Sequence, residues 1–194
     1  MRSIVINKKR LGVTLILIGL MMVLFGVETK VDKKLKMMAL MNNEVTSLTK
    51  YNILNDKYSF KLPSTWQSNE SNYVGSEMLY HRDFSSEDKS INGFVEVWNG
   101  SMALKTFVVR SKDYGITNYV YDNYKDQGMT IGDKDAYFVT YTMASNNYAY
   151  NAYEYFVELD NKVLKFSFFI KKSQVKENTP VIFKTLVETF QYNN

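Results

Sequence analysis

Residues 148–171 read YAYNAYEYFVELDNKVLKFSFFIK. Two runs rich in Tyr, Val, Phe and Ile flank Asp160-Asn161, residue types that accept a tight turn. The stretch predicts a hairpin of Tyr148–Leu159 and Val163–Lys171. Successive strand side chains point to opposite faces. Leu164, Phe166, Phe168 and Ile170 therefore share one face, and that face is assigned to the core.

Working outward, Thr179 and Pro180 read as the cap and first position of a helix. Its Val181, Ile182, Leu186, Val187 and Phe190 would pack back on the sheet. Upstream, Ala136 to Met143 is a strand after the turn Gly132-Asp133-Lys134, and Glu77–Phe84 and Ile91–Trp98 are two more. Tyr58 to Leu62 alternates and stops at Pro63, which donates no ladder hydrogen bond. Ser64-Thr65-Trp66 then reads as a turn with an aromatic plug. Ser101 would cap a helix with Leu104, Phe107 and Val108 on its apolar face, and Gly115 would stop it. Residues 116–131 fit both periods: Ile116, Tyr119, Val120 and Tyr124 fit a helix, while Tyr119, Tyr121 and Asn123 fit a strand. A strand is expected there.

The order of these elements resembles the Mog1/PsbP-like superfamily. The matching pieces are Tyr58 to Trp66, the strand through Phe94-Val95-Glu96-Val97, Ile131 to Tyr137, the aromatic hairpin, and Phe183 to Phe190. Each motif is degenerate, and their order over about residues 51–192 carries the resemblance. It implies an α+β domain in which an antiparallel sheet is flanked by helices in an α/β/α sandwich. It also implies a non-enzymatic interaction module. Some members of the superfamily bind a small GTPase and others are extrinsic subunits of photosystem II; neither role carries over to these residues.

The chain begins differently. Arg2, Lys8, Lys9 and Arg10 precede 17 apolar residues, Leu11 to Val27, closed by Glu28. As a helix this run covers roughly 26 Å, close to the bilayer core of about 30 Å. It is longer than the apolar core of a cleavable signal, and no small-residue cleavage site follows. The expected organisation is a basic segment 1–10, a transmembrane signal anchor 11–27, a helical stalk or connector 28–50 and a domain 51–194. Lys8-Lys9-Arg10 abuts the apolar boundary, which favours a cytoplasmic amino terminus and an extracytoplasmic domain. Gly12, Gly19 and Gly26 recur every seven residues on one face, a seam through which two anchors would pair into a homodimer. In the connector, Val31, Leu35, Met38, Met41, Val45 and Leu48 follow helical spacing. Such a helix would either extend the anchor or dock on the domain. The lysines at 30–36 are expected to be solvated.

Composition narrows the function. The net charge of +4 is uneven, because residues 1–50 hold nine Lys/Arg against three Asp/Glu and residues 51–194 hold 15 against 17. The domain has no basic stripe, so nucleic-acid binding lacks an electrostatic basis. There is no cysteine, hence no disulfide, thiol chemistry or cysteine-held metal. The abundance of Asn, Lys, Ile and Tyr with two prolines suggests an AT-rich genome, as in a low-GC Gram-positive bacterium.

No catalytic, metal-binding or cofactor-binding set emerges. His81 is the one histidine; Asp83, two residues on, shares its strand face and would form a polar pair. Asp122, Asp126, Asp133 and Asp135 do not match a calcium loop. There is no Gly-rich phosphate loop and no nucleophile elbow. The aromatics, 15 Tyr and 12 Phe, are mostly expected in the core. Tyr148 and Tyr150 beside Ser145-Asn146-Asn147 are the candidate interaction surface, and Trp98, at a strand end, either joins them or belongs to the core. The expected role is a membrane-anchored, non-enzymatic binding or scaffold domain of an envelope complex with a protein partner. The alternative is an extracytoplasmic receptor or carrier for a small apolar or glycan ligand. A cavity of several hundred cubic ångströms between sheet and helix favours the alternative; a solid core disfavours it.

Overall fold

The computed structural model describes residues 14, 17, 18, 20–22, 34, 36–38, 40, 45–71, 77–100, 102–118, 121–145 and 147–193. Ten strands and two α-helices are described: β1 (Leu48–Ile53), β2 (Tyr58–Pro63), β3 (Gln67–Glu70), β4 (Met78–Ser85), β5 (Ile91–Asn99), α1 (Leu104–Asn118), β6 (Tyr121–Ile131), β7 (Lys134–Ser145), β8 (Tyr148–Leu159), β9 (Lys162–Lys171), α2 (Thr179–Val187) and β10 (Gln191–Tyr192). A short 3-10 turn, Lys172–Gln174, joins β9 to the segment before α2.

The quoted hairpin is the spine. β8 and β9 pair antiparallel from Tyr150–Lys171 to Leu159–Lys162, leaving the two-residue loop Asp160-Asn161 with Asn161 at φ 56°. The seven-stranded antiparallel sheet runs β3-β4-β5-β9-β8-β7-β6, and a smaller sheet runs β1-β2-β10. Leu164, Phe166, Phe168 and Ile170 lie in the larger core, as their alternation requires. Phe60 from the small sheet meets Phe166 edge-on at 5.5 Å, and Phe183 of α2 stacks on Phe168 at 4.3 Å. On this face the large sheet is therefore covered by α2 together with a second sheet. The antiparallel α+β architecture expected from the sequence holds, with that second sheet sharing a layer assigned to helices alone.

The opposite face carries α1. Leu104 and Val108 pack on Val139, Tyr141, Ala152, Phe156 and Val163, so the helix lies over β7, β8 and the start of β9. Gly115 does not stop it; the helix continues to Asn118. A Cβ on Gly115 would overlap the hydroxyl and ring of Tyr121, so glycine there lets the first residue of β6 tuck beneath the helix. The ambiguous segment divides in two, with helix to Asn118 and strand from Tyr121. A register shift between Asp122 and Lys125, with Asn123 at φ 55°, bulges β6. A bulge inserts one residue and re-aims the strand, so Tyr121 and Tyr124 both stack on Tyr141, at 4.1 and 6.2 Å.

Other expectations shift by a residue or more. The domain's first strand starts at Leu48, antiparallel to β2, so the helical spacing of the connector does not extend to Leu48. Leu40 packs against the larger core and Lys36 pairs with Glu188 at 2.8 Å. The described part of the connector thus docks on the domain, and Lys36 is not simply solvated. Asn178, not Thr179, precedes α2. Thr179 is its first residue, and its hydroxyl accepts the Lys176 N–H at 2.9 Å. Val181 is exposed and Phe183 takes its place in the core. Ser101, proposed as a cap, lies outside the described residues, as do Leu11, Gly12, Gly19, Gly26 and Val27 of the anchor. Among the described residues no helix is long and apolar enough to cross a membrane.

The two faces differ in how much a large side chain contributes. Phe168 is fully buried, and Phe168→Ala should cost about 3–5 kcal/mol. Phe107 of α1 is half-buried against the sheet, and Phe107→Ala should cost less than half of that. Urea unfolding of the two variants checks the order; equal losses would mean that the α1 face is as solid as the other.

Candidate functional site

The α1 face of the central strands is unusually polar. Alternation puts Leu164, Phe166 and Phe168 of β9 in the core, so Lys165 and Ser167 point the other way. By the same rule β5 presents Phe94, Glu96 and Trp98, and β8 presents Glu154 and Phe156. Register aligns His81, Glu96, Lys165 and Phe156 in one row across β4, β5, β9 and β8, and Asp83, Phe94, Ser167 and Glu154 in the next.

These groups satisfy one another. Lys165 Nζ lies 2.9 Å from Glu154 Oε1, which also accepts the Ser167 hydroxyl at 2.9 Å. Lys165 donates to Ser111 of α1 at 3.4 Å and lies 5.3 Å from the ring centres of both Phe94 and Phe156. Glu96 Oε2 accepts the Trp98 indole N–H at 2.8 Å, and its Oε1 faces His81 Nδ1 at 3.0 Å. His81 Nε2 faces Asp83 Oδ1 at 3.0 Å, so the expected His81–Asp83 pair forms. A neutral imidazole has one N–H and satisfies one of these contacts; the imidazolium donates to both. Glu96, Glu154 and His81 are buried, the most exposed of them, His81, at 7%. Buried charges persist only when paired and hydrogen-bonded, and these are.

The environment shifts several protons. Burial alone would lower the Lys165 ammonium, but the charges of Glu154 and Glu96 outweigh it and hold the group above its ordinary value. Burial first, then the Glu154 charge, pushes the Tyr141 hydroxyl far above the ordinary 10.0. Burial and Asp126 raise Tyr124 in the same way.

Between these strands and α1 lies a cavity of about 1020 Å³. Its floor is Glu96, Glu154 and Lys165, and its walls are aromatic and methionine side chains, among them Trp98, Phe107, Tyr121, Met143 and Phe169. Gly115 lines it from the helix, and Arg110 and Glu77 stand at its exposed edge. Among the described residues no group of three or more His, Asp or Glu is placed to hold a metal ion.

Of the three residues singled out from the sequence, Trp98 belongs to this cavity and packs on Phe107 at 5.9 Å. Tyr148 and Tyr150 do not join it. Trp98 pairs with Val163 and Tyr150 with Lys171, opposite ends of β9 and about 26 Å apart at strand rise. Tyr148 is exposed, with the Lys171 ammonium 4.1 Å from its ring centre. The sequence reading passed over Glu96, Glu154, Lys165 and Ser167. The signal was present, because each is a polar residue between apolar or aromatic neighbours in a central strand.

No family model matches the chain, and no curated protein matches it by sequence. Solved structures do match. The solution structure of cyanobacterial PsbP from Synechocystis sp. PCC 6803 superposes with a TM-score of 0.59 at 12% identity, covering 77% of this chain and 94% of that one. The domain has the PsbP/Mog1-like fold. A Pseudomonas aeruginosa protein of unknown function matches the PsbP-like domain with a TM-score of 0.49 at 12% identity, covering 76% of this chain and 98% of that one. LpqN of Mycobacterium tuberculosis, involved in cell envelope biogenesis, matches with a TM-score of 0.47 at 11% identity, covering 76% and 91%.

The raised groups of the PsbP-like domain predict alkaline sensitivity. Folded Tyr141 keeps its proton where the unfolded chain gives it up, near pH 10.0. Stability is therefore full below that pH and falls as pH rises above it. Lys165, held above 10.5, acts in the same direction. The urea midpoint should fall between pH 10 and 11, and Tyr141→Phe should lose less of it over that interval. An unchanged slope in the variant would mean that Tyr141 titrates as in water.

Proposed function

We propose that this protein is a non-enzymatic ligand-binding domain of a bacterial cell envelope, tethered by its N-terminal apolar segment and holding its ligand between α1 and the sheet. The observation that carries this is the cavity of about 1020 Å³. It reaches the upper end of the usual range for ligand sites, about 300–1,000 Å³. The centre of the other face is filled by stacked aromatics, and the cavity at that face's edge is smaller, about 740 Å³, and more polar, with Ser86, Glu87, Asp88, Ser90 and Lys176 in its lining. A receptor or carrier role uses the cavity directly. A purely scaffolding role needs no cavity, so the receptor reading is the better supported of the two expected from the sequence. The mainly aromatic and thioether walls suit binding by shape and burial.

Native mass spectrometry of the full-length protein, extracted from its host in mild detergent, tests this. A co-purifying small molecule is expected, and Met143→Trp, which fills the cavity wall, should lose it while retaining the native circular dichroism. Recovery of a protein partner with no small molecule, in wild type and variant alike, would leave scaffolding as the function.

The placement outside the membrane rests on the apolar run and the basic residues before it. Protease added to intact protoplasts should digest the domain. Survival of the domain until the cells are lysed would put it on the cytoplasmic side.

A further inference from the structure

The chemistry of the cavity also restricts what enters it. We infer that the cavity selects an uncharged amphiphile, a molecule with an acyl or prenyl chain and no negative head group, and rejects the anionic counterpart of the same chain. This rests on the cavity being the binding site, as proposed above.

Three observations converge. First, the polar groups of the floor are already engaged with one another. Glu96 is taken by Trp98 and His81, Glu154 by Lys165 and Ser167, and Lys165 also by Ser111. A sugar would bury hydroxyls that need partners, and the floor has few left to offer. Second, the floor is net negative. Glu96 and Glu154 face the single cation Lys165. Counting His81 as a cation brings in Asp83 as its second carboxylate, and the balance stays negative. At the mouth Arg110 and Glu77 contribute one charge of each sign. A carboxylate or phosphate carried inside would leave water and meet net repulsion. Third, the two rings at the floor that would attract a cationic head are occupied from within. The Lys165 ammonium already lies over the rings of Phe94 and Phe156. What remains free is the wall of Met78, Met102, Phe107, Met143 and Phe169, flexible and polarizable, and suited to a hydrocarbon chain.

Trp98 gives a local readout. The chain has two tryptophans, and Trp66 stacks on Phe84 in the core of the other face. Full-length Trp66→Phe protein in a non-ionic amphipol therefore reports on the cavity alone. A dibrominated stearoyl monoglyceride should quench Trp98 by contact. Dibrominated stearate should need at least about tenfold more for the same quenching, since like charges repel strongly where water is excluded. Glu154→Gln removes one negative charge and frees Lys165, so stearate should then quench nearly as well as the monoglyceride. Glu96→Gln, which retains oxygen and nitrogen for Trp98 and His81, should shift the ratio the same way if the first variant does not fold. Equal quenching by the two probes in the Trp66→Phe protein overturns the selectivity and leaves the cavity reading standing. Protection of Trp98 by a soluble oligosaccharide but not by unbrominated monoglyceride does the same. Absence of quenching by either probe overturns the selectivity and the cavity reading together.

Discussion

A fifteen-residue helix lies over a sheet seven strands wide. Such a helix is about 22 Å long and about 10 Å across; seven strands span about 29 Å. Covering one half of the sheet leaves the other half short of a partner. Leu104 and Val108 seat α1 on β7, β8 and the start of β9, and the more loosely covered remainder is β4, β5 and the rest of β9. The polar rows run from there into β8, and the cavity opens there. The opposite face escapes the problem because it has two covers, α2 and the small sheet. Its aromatic contacts, Phe60 on Phe166 and Phe183 on Phe168, close its centre, and the cavity it keeps, about 740 Å³ beside Trp66, Ile91 and Ile182, lies at its edge.

Uneven cover explains the chemistry of the central strands. Beside the patch where Ala152, Phe156 and Val163 pack under α1, the α1 face of β5, β8 and β9 is too enclosed for a solvated charge and too loosely covered to be filled by apolar side chains alone. Glu96, Glu154 and Lys165 meet that condition by pairing across strands. Their pairing is a matter of register: Glu96 lies opposite Lys165 on β9, and Glu154 opposite Ser167. A slip of one residue would send these charges into the aromatic core and the phenylalanines towards α1. The ion network therefore supplies a penalty against the alternative register, while the aromatic face supplies most of the burial.

Much of the fold was legible because it obeys local periodicity. The β8–β9 hairpin, its core face and the helix after Pro180 follow from alternation, turn chemistry and the fixed φ of proline. What escaped local reading depends on distant residues. Gly115 looks like a helix stop, yet it is glycine because Tyr121 packs against it. Tyr121 and Tyr124 are three apart, a helical spacing, and a bulge at Asn123 brings both to one face of a strand. The site was less legible than the fold. The strand-end position of Trp98 is compatible with surface or core, and it lines an inner wall. Tyr148 and Tyr150 sit at the far end of the sheet. Glu96, Glu154 and Lys165 acquire meaning only once it is known that one short helix covers their face.

The void beneath α1 is built by specific residues. If it were only a packing shortfall, its border would be made of side chains with room to collapse into it. Two of its edges are fixed instead. Gly115 and the Asn123 bulge lock Tyr121 against Tyr141 on one side. On the other, Trp98 is held by its bond to Glu96, and Glu96 by His81. Moving either aromatic into the space would break a buried hydrogen bond to a charged group or open a stacked pair. A buried acceptor left unmade costs more than a small void gains by closing. The floor cannot rise either, since Lys165 is tied to Glu154 on one side and Ser111 of the helix on the other. The space is held open by the interactions that neutralise its charges, so its shape and its preference for an uncharged occupant have the same physical origin.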